Sequence, residues 1–141
     1  MKTAETQSIT VETVVNAPIE KAWNYFSAPE HITKWAFAAD DWHAPHAEND
    51  LRKDGRFKTT MAAKDGSFSF DFEGVYTNVI PNKLFEYAMP DGRKVKVAFS
   101  AEGNKTKVVE TFDPETENPI DMQRAGWQAI LDNYRKHVES N

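Results

Sequence analysis

The sequence contains no cysteine, which excludes disulfide bridges and thiol chemistry. It has no apolar run of about 18 residues, so it offers no candidate for a membrane-spanning helix. Acidic residues outnumber basic ones by 22 to 17, and the net charge of −5 argues against a surface that binds nucleic-acid phosphates. The segment from Met1 to Ser8 is polar and lacks the apolar stretch of a signal peptide, so we expect a cytoplasmic protein.

The sequence is also poor in motifs for metal, phosphate or covalent chemistry. His43 and His46 lie close to Glu48, but side chains three residues apart on a strand point to opposite faces, and Pro45 disfavours a helix here. Neither a G-x-S-x-G motif nor a glycine-rich phosphate loop is present. We therefore expect no metal and no cofactor.

The length and composition indicate one globular domain. The chain has 141 residues, of which 40% are hydrophobic. A chain of this size buries about two-thirds of its unfolded surface in a single core. We expect one domain over residues 1–141, with residues 1–7 as a flexible N-terminus.

The last segment of the chain predicts a long amphipathic helix from Pro119 to Ser140. Asn118 is a good N-cap, and proline is tolerated at the first helical position because its missing N–H would have no partner there. The helical period of about 100° per residue brings the apolar residues of this segment onto one stripe. The stripe contains Ile120, Trp127, Ile130, Leu131, Tyr134 and Val138.

Two residues of this predicted helix are unusual. Gln123 lies within the apolar stripe, where a buried amide needs hydrogen-bond partners. Gly126 costs about 1 kcal/mol relative to alanine inside a helix. It therefore indicates either the close approach of another backbone or open space beside Trp127.

The remainder of the chain predicts strands, with two short helices after the first of them. Residues 8–16 alternate as a strand does, and Pro18 and Pro29 each begin a short helix. Three Asp-Gly pairs, at 54–55, 65–66 and 91–92, are typical of tight turns in which glycine adopts a positive φ. The later strands are expected over residues 43–52, 56–63, 68–79, 84–90, 94–101 and 105–113.

Strands joined by short turns pair antiparallel, and a sheet with one apolar face needs a cover. The C-terminal helix is the only predicted element long enough to provide it. The sequence therefore predicts an α+β fold, in which a curved antiparallel sheet of six to seven strands wraps around that helix.

The inner face of this sheet is rich in large apolar side chains, which alternate with polar residues along each strand. They are more numerous than a small core requires, so we expect a ligand cavity between sheet and helix. The residues predicted to line it are Trp35, Phe57, Met61, Phe70, Phe72, Tyr87, Met89, Phe99, Glu110, Gln123 and Trp127.

Glu110 is the candidate for a polar group inside this cavity. It alternates in phase with Val108, which places it on the inner face of its strand if Val108 is buried. A buried carboxyl has a raised pKa unless a cation pairs with it, and we expect Gln123, Tyr87 or Arg124 as its hydrogen-bond partner. Glu110 and Tyr87 are also the candidates for general acid–base catalysis.

The order of these features resembles the START-like helix-grip superfamily, also called SRPBCC, and within it the activators of the heat-shock protein 90 ATPase. The resemblance runs from about Ile9 to Val138. It depends on the motifs Ala17-Pro18, Pro29-Glu30, Asn49-Asp50-Leu51-Arg52, Gly55-Arg56-Phe57, Gly74-Val75 and Gly126-Trp127. It implies a strand, two helices, six strands and a final helix, with an interior apolar cavity.

Known functions in this superfamily range from lipid and hormone binding to polyketide cyclisation and co-chaperone action, so the fold does not fix the function. Three functions stay open from the sequence. The first is binding of a small hydrophobic or aromatic molecule, lipid-like or polyketide- and flavonoid-like. The second is a cyclase or hydrolase that uses the same cavity. The third is a co-chaperone-like interaction with a chaperone, which an exposed apolar patch on the outer face of the sheet would favour.

Overall fold

The structure is a computed structural model that describes residues 8–141, so the predicted flexible segment 1–7 lies outside the described residues. Strand β1 (Ile9–Val15) is followed by helices α1 (Ile19–Ser27) and α2 (Pro29–Trp35). The next six elements are the strands β2 (Trp42–Asn49), β3 (Arg56–Ala63), β4 (Ser69–Ile80), β5 (Leu84–Ala88), β6 (Lys94–Glu102) and β7 (Lys105–Phe112). Helix α3 (Ile120–Ser140) follows them. The predicted α+β fold with two short helices after the first strand is confirmed.

The seven strands form one antiparallel sheet in the order β1-β7-β6-β5-β4-β3-β2. The first strand pairs with the last one, so that Ile9 lies opposite Phe112 and Val15 lies opposite Thr106. The sheet curls into a half-barrel, with α3 packed along β1 and α2 packed along β2. Both edge strands are therefore covered by helices, which lie over the two margins of the concave face.

The most deeply buried residues of α3 are Leu131, Tyr134 and Val138, each at most 1% exposed. The Tyr134 hydroxyl donates a hydrogen bond of 2.6 Å to the carbonyl of Ala22, which fixes α1 to α3. Each of these side chains stabilises the fold by about 2 kcal/mol through burial alone. Within residues 8–141, no helix is both long and apolar enough to cross a membrane.

The start of α3 differs from the prediction in two respects. Pro119 occupies the N-cap position, and the predicted N-cap Asn118 makes no capping bond to the helix. The carboxylate of Glu115 instead accepts hydrogen bonds from the backbone N–H groups of Glu117 and Asn118. Ile120 is 44% exposed, so its place in the buried stripe is wrong, because the contact of α3 with the core begins only at Gln123.

The glycines also differ from the prediction at one turn. Gly66 and Gly92 have the expected positive φ, but at the 54–55 turn the positive φ belongs to Asp54. Gly55 is needed for a different reason, because a Cβ there would collide with the carbonyl oxygen of Asp50. At Gly126 a Cβ would meet no neighbouring atom within 4 Å, so the second of the two sequence readings, open space, is correct.

We expect Gly126→Ala to stabilise the protein by up to about 1 kcal/mol, because alanine is the better helix former and the structure leaves room for its methyl group. Urea unfolding of wild type and variant measures the difference. Gly55→Ala is the contrasting substitution and should cost about 2 kcal/mol or more, since the backbone at Asp50 must move. Equal effects of the two substitutions would contradict this description of both sites.

Candidate functional site

A cavity of about 300 Å³ lies between the concave face of the sheet and the helices. This volume is at the lower end of the range for small-molecule sites, which is about 300 to 1,000 Å³. Nine of the eleven residues predicted from the sequence line the cavity. They are Trp35, Phe57, Met61, Phe70, Phe72, Tyr87, Met89, Glu110 and Trp127. That they bind a ligand remains a prediction.

The other two predicted residues lie elsewhere. Phe99 faces inward on β6 but packs at the α1 end of the core, where its ring lies 5.1 Å from that of Trp23. Gln123 turns towards the segment before α3. Its amide accepts a hydrogen bond from the N–H of Glu115 and donates to the carbonyls of Glu115 and Asn118. The buried amide thus finds its partners in backbone and organises the start of α3 instead of the cavity.

The cavity wall also contains polar residues that the sequence did not reveal. The Tyr76 hydroxyl donates a hydrogen bond of 2.6 Å to the amide oxygen of Asn49. The Asn49 amide in turn donates to the carbonyl of Ser27. This chain ties β4 and β2 to the end of α1. Alternation along β4 places Tyr76 in phase with Phe70 and Phe72, which is the signal that could have identified it.

Aromatic contacts hold the apolar wall in place. Trp127 of α3 stacks on Phe112 with ring centroids 3.8 Å apart, and it meets the edge of Phe72 at 5.9 Å. Tyr87 and Phe57 form an edge-to-face pair at 4.6 Å. Pairs of this kind contribute about 0.5 to 1.5 kcal/mol beyond the burial of their area. The wall is therefore preorganised by contacts among its own side chains.

One side of the cavity is open to solvent. Phe70, which lines the cavity, is 43% exposed, and Phe68 is 59% exposed. The ring of Trp42 lies about 6 Å from both of them. These three rings, which we call the rim cluster, form an exposed apolar surface beside the cavity.

Glu110 lies on the inner face of β7, between Val11 of β1 and Val97 of β6. The residue is only 7% exposed, and among the described residues its carboxyl makes no hydrogen bond. No fully enclosed side-chain oxygen or nitrogen in residues 8–141 lacks a partner, so the remaining surface of this carboxyl opens into the cavity. Burial raises the pKa of Glu110 to about 8.

The predicted hydrogen-bond partners of Glu110 are therefore wrong. Gln123 is occupied by backbone groups near the start of α3, and Arg124 pairs with Asp121 at 3.2 Å on the surface. Tyr87 faces the same cavity, and burial together with the negative charge of Glu110 raises the pKa of its hydroxyl well above the usual value. Both groups hold their protons at neutral pH.

The sequence predicts no metal site, and the placement of His43 and His46 on β2 bears on that prediction. His46 forms a pair of 2.7 Å with Glu48 on the surface of β2, where both side chains are more than half exposed. A register shift separates His46 from His43. In the part of the chain that the structure describes, no group of three or more His, Cys, Asp or Glu residues is arranged to hold a metal ion.

We expect the buried carboxyl of Glu110 to make stability depend on pH. In the unfolded chain its pKa is near 4.5, whereas in the folded protein it is about 8, so the folded state holds the proton more tightly. The stabilisation that results from this difference in pKa is fully present below pH 4.5 and is lost as the pH rises through about 8. Between these two values the free energy of unfolding falls by about 1.4 kcal/mol per pH unit.

Urea unfolding of Glu110→Gln and wild type across this pH window measures the effect, since the amide cannot ionise. The advantage of Glu110→Gln over wild type should grow with pH and level off above about 8. Glu73→Gln, at an exposed position on β4, is the control and should follow wild type. A constant difference between Glu110→Gln and wild type would show that Glu110 titrates normally.

Comparisons with known proteins agree with the fold. The family model described as activator of Hsp90 ATPase homolog 1-like protein matches residues 16–139. A solution structure from Cytophaga hutchinsonii is 52% identical, covers 97% of this chain and 94% of its own, and superposes with a TM-score of 0.82. The AHSA1-like protein from Aeromonas hydrophila is 43% identical, with coverages of 94% and 92% and a TM-score of 0.89.

A crystal structure from Nitrosomonas europaea has a TM-score of 0.83 at 16% identity, with 99% of each chain covered, and shows the fold alone. The search of curated proteins found no match. The predicted resemblance is thus confirmed, and the helix-grip architecture with its interior cavity is that of a ligand-binding domain in general terms. The family model covers most of the chain, so this protein belongs to the family of activator of Hsp90 ATPase homolog 1-like proteins.

Proposed function

We propose that the protein binds a small hydrophobic or aromatic molecule in the cavity between α3 and the sheet. The observation that carries this proposal is the cavity itself, about 300 Å³ in volume and lined mainly by aromatic and aliphatic side chains. Protein cores are normally close-packed, and unfilled apolar volume costs about 24 cal/mol per Å³. A bound apolar molecule would fill this volume and remove apolar wall from water.

The chemistry of the wall supports flat or chain-like apolar ligands, of lipid-like or polyketide- and flavonoid-like type. Phe57, Phe72, Tyr87 and Trp127 present ring faces and edges against which an aromatic ligand can stack. Among the described residues, the one guanidinium on the wall is that of Arg93, which pairs with Asp91 at 2.7 Å. The proposal therefore comprises this ligand class and a cytoplasmic location of the protein.

An enzyme of cyclase or hydrolase type receives less support from the same geometry. Catalysis of that kind needs a base as well as an acid. At neutral pH Glu110 is protonated. Burial raises the pKa values of the Tyr87 and Tyr134 hydroxyls, and the negative charge that Glu110 carries once it ionises raises them further. Among the described residues no histidine or lysine lines the cavity. The site therefore offers proton donors without a base, which suits binding better than hydrolysis.

Filling part of the cavity should weaken binding. Thr59 lies on its wall and is 5% exposed, so we expect Thr59→Phe to occupy the space of the ligand and to lower affinity at least about tenfold. Tryptophan fluorescence during titration with a fatty acid and with a flavonoid measures affinity, because Trp35 and Trp127 line the cavity.

The matched control is Thr77→Phe, which adds the same ring at an exposed position on β4. It should bind as wild type does. Native mass spectrometry of the purified protein adds an independent test through a co-purifying small molecule. No saturable change with either probe and no retained molecule would refute the proposal.

A co-chaperone-like role is a second proposal, favoured by the family to which the chain belongs and by the rim cluster of Trp42, Phe68 and Phe70. This apolar surface lies beside the cavity and not on the outer face of the sheet, the location that would have favoured this role on the sequence argument. If it contacts a chaperone of the Hsp90 type, the protein should change the rate of ATP hydrolysis by that chaperone. Phe68→Ser should remove the effect, while Met122→Ser, at an equally exposed site on α3, should not. An unchanged ATPase rate would exclude this role.

A further inference from the structure

We propose that the cavity selects uncharged carbonyl compounds, whose oxygen accepts hydrogen bonds from the carboxyl of Glu110 and the hydroxyl of Tyr87. The inference rests on the proposed function, since it names the chemical class of the ligand that the same cavity takes. It goes further in assigning two side chains a role in recognition.

The first observation is that neither the carboxyl of Glu110 nor the hydroxyl of Tyr87 has a hydrogen-bond partner within the described residues. Glu110 is 7% exposed and Tyr87 is 6% exposed. Apart from Thr59, which also lines the cavity, the other buried polar groups of the core are paired, for example the Tyr134 hydroxyl with the Ala22 carbonyl and the Thr106 hydroxyl with the Ala17 carbonyl. Since no fully enclosed side-chain oxygen or nitrogen in residues 8–141 lacks a partner, the free surface of Glu110 and Tyr87 faces the cavity that both residues line.

The second observation is the position of the two residues on the sheet. Tyr87 of β5 lies opposite Val95 of β6, and Glu110 of β7 lies opposite Val97 of the same strand. The two side chains therefore rise from the concave face on either side of β6, two strand spacings of about 4.8 Å each apart across the sheet and offset by two residues along it. Val97 of β6 lines the cavity between them, and its short side chain leaves space above it for part of a ligand.

The protonation states decide which ligand group fits. The titratable groups that face Glu110 are the hydroxyls of Tyr87 from β5 and of Tyr134 from α3, and burial raises the pKa of both. Arg93 lies on the wall but pairs with Asp91. With no cation beside it, Glu110 carries its proton at neutral pH, so the site presents two neutral donors in an apolar environment.

A neutral donor pair of this kind complements a neutral acceptor. A buried hydrogen-bond donor that loses water without gaining a partner costs about 1 to 3 kcal/mol, so a ligand that is purely hydrocarbon leaves this cost in place. A ligand carbonyl satisfies both donors with one atom. A cationic ligand would first have to remove the proton from Glu110, which weakens its binding below the pKa of that group.

The test uses probes of matched shape and differing polarity. Benzophenone carries a C=O group where 1,1-diphenylethylene carries a C=CH2 group, and the two molecules are otherwise identical. Titration of isotope-labelled full-length protein, followed by NMR, should show that benzophenone binds about tenfold more tightly, the difference expected for one to two hydrogen bonds. The carbon-13 shift of the labelled benzophenone carbonyl should move downfield on binding, as it does on hydrogen bonding.

Two variants of closely similar shape separate recognition from a merely structural role. Tyr87→Phe removes one donor and should reduce the preference for benzophenone several-fold, because benzophenone loses a hydrogen bond and 1,1-diphenylethylene no longer leaves that hydroxyl without a partner. Wild type should lose much of the preference above about pH 8, when Glu110 ionises, whereas Glu110→Gln keeps an N–H donor and should retain the preference at every pH. The NMR spectrum of each variant verifies its fold.

Equal binding of the two probes by wild type would overturn the inference and leave the proposed function standing. Failure of both probes to bind would overturn the inference together with the proposed apolar site. Tighter binding of benzyltrimethylammonium, with an affinity that rises with pH through about 8, would overturn it in favour of a charge pair with Glu110.

Discussion

The pairing of β1 with β7 is the interaction on which the rest of the structure depends. It joins the beginning of the sheet to its last strand, from Ile9 opposite Phe112 to Val15 opposite Thr106. Because β1 is followed at once by α1 and α2, this pairing also brings the short helices to the concave face. The chain that leaves β7 then has one path, back beneath the sheet, where α3 packs along β1.

The same arrangement explains why a cavity remains. Helix α3 covers one edge of the curled sheet, and α2 covers the other. The middle strands β3 to β6 face the space between these helices, and no further element is available among the described residues to fill it. Large side chains such as Phe57, Phe72 and Tyr87 narrow that space but cannot close it. The cavity is thus a consequence of how few helices cover a seven-stranded sheet.

The sequence predicted those features that depend on local periodicity. Alternation and turn residues located all seven strands, and the helical stripe located Leu131, Tyr134 and Val138. Features that depend on where an element ends were predicted less well. The apolar stripe of α3 extends to Ile120 in the sequence, although the sheet no longer covers that residue. The buried and the exposed end of the stripe differ only in their tertiary contacts, which the periodicity does not encode.

The cavity shows the same limit. Alternation told which residues face inward, and so it identified Glu110 and Tyr87, but it could not tell which inward residues face packed core and which face open space. Phe99 is inward and lies in packed core. Gln123 is buried, but backbone groups near the start of α3 satisfy it, a contact that no periodicity encodes. Asn49 was overlooked because its role depends on a hydrogen bond from Tyr76, a residue on another strand.

Glu110 is the position at which the chain departs from what stability alone would select. A leucine of similar size would fill the space between Val11 and Val97 without the cost of burying a carboxyl. That cost is smallest when the group is neutral, and the raised pKa reflects this neutral state. A residue that breaks the local rule without a structural partner indicates selection for a task other than folding. Glu110 lines the cavity, so the ligand proposed for that cavity supplies a reason for a carboxyl at this position.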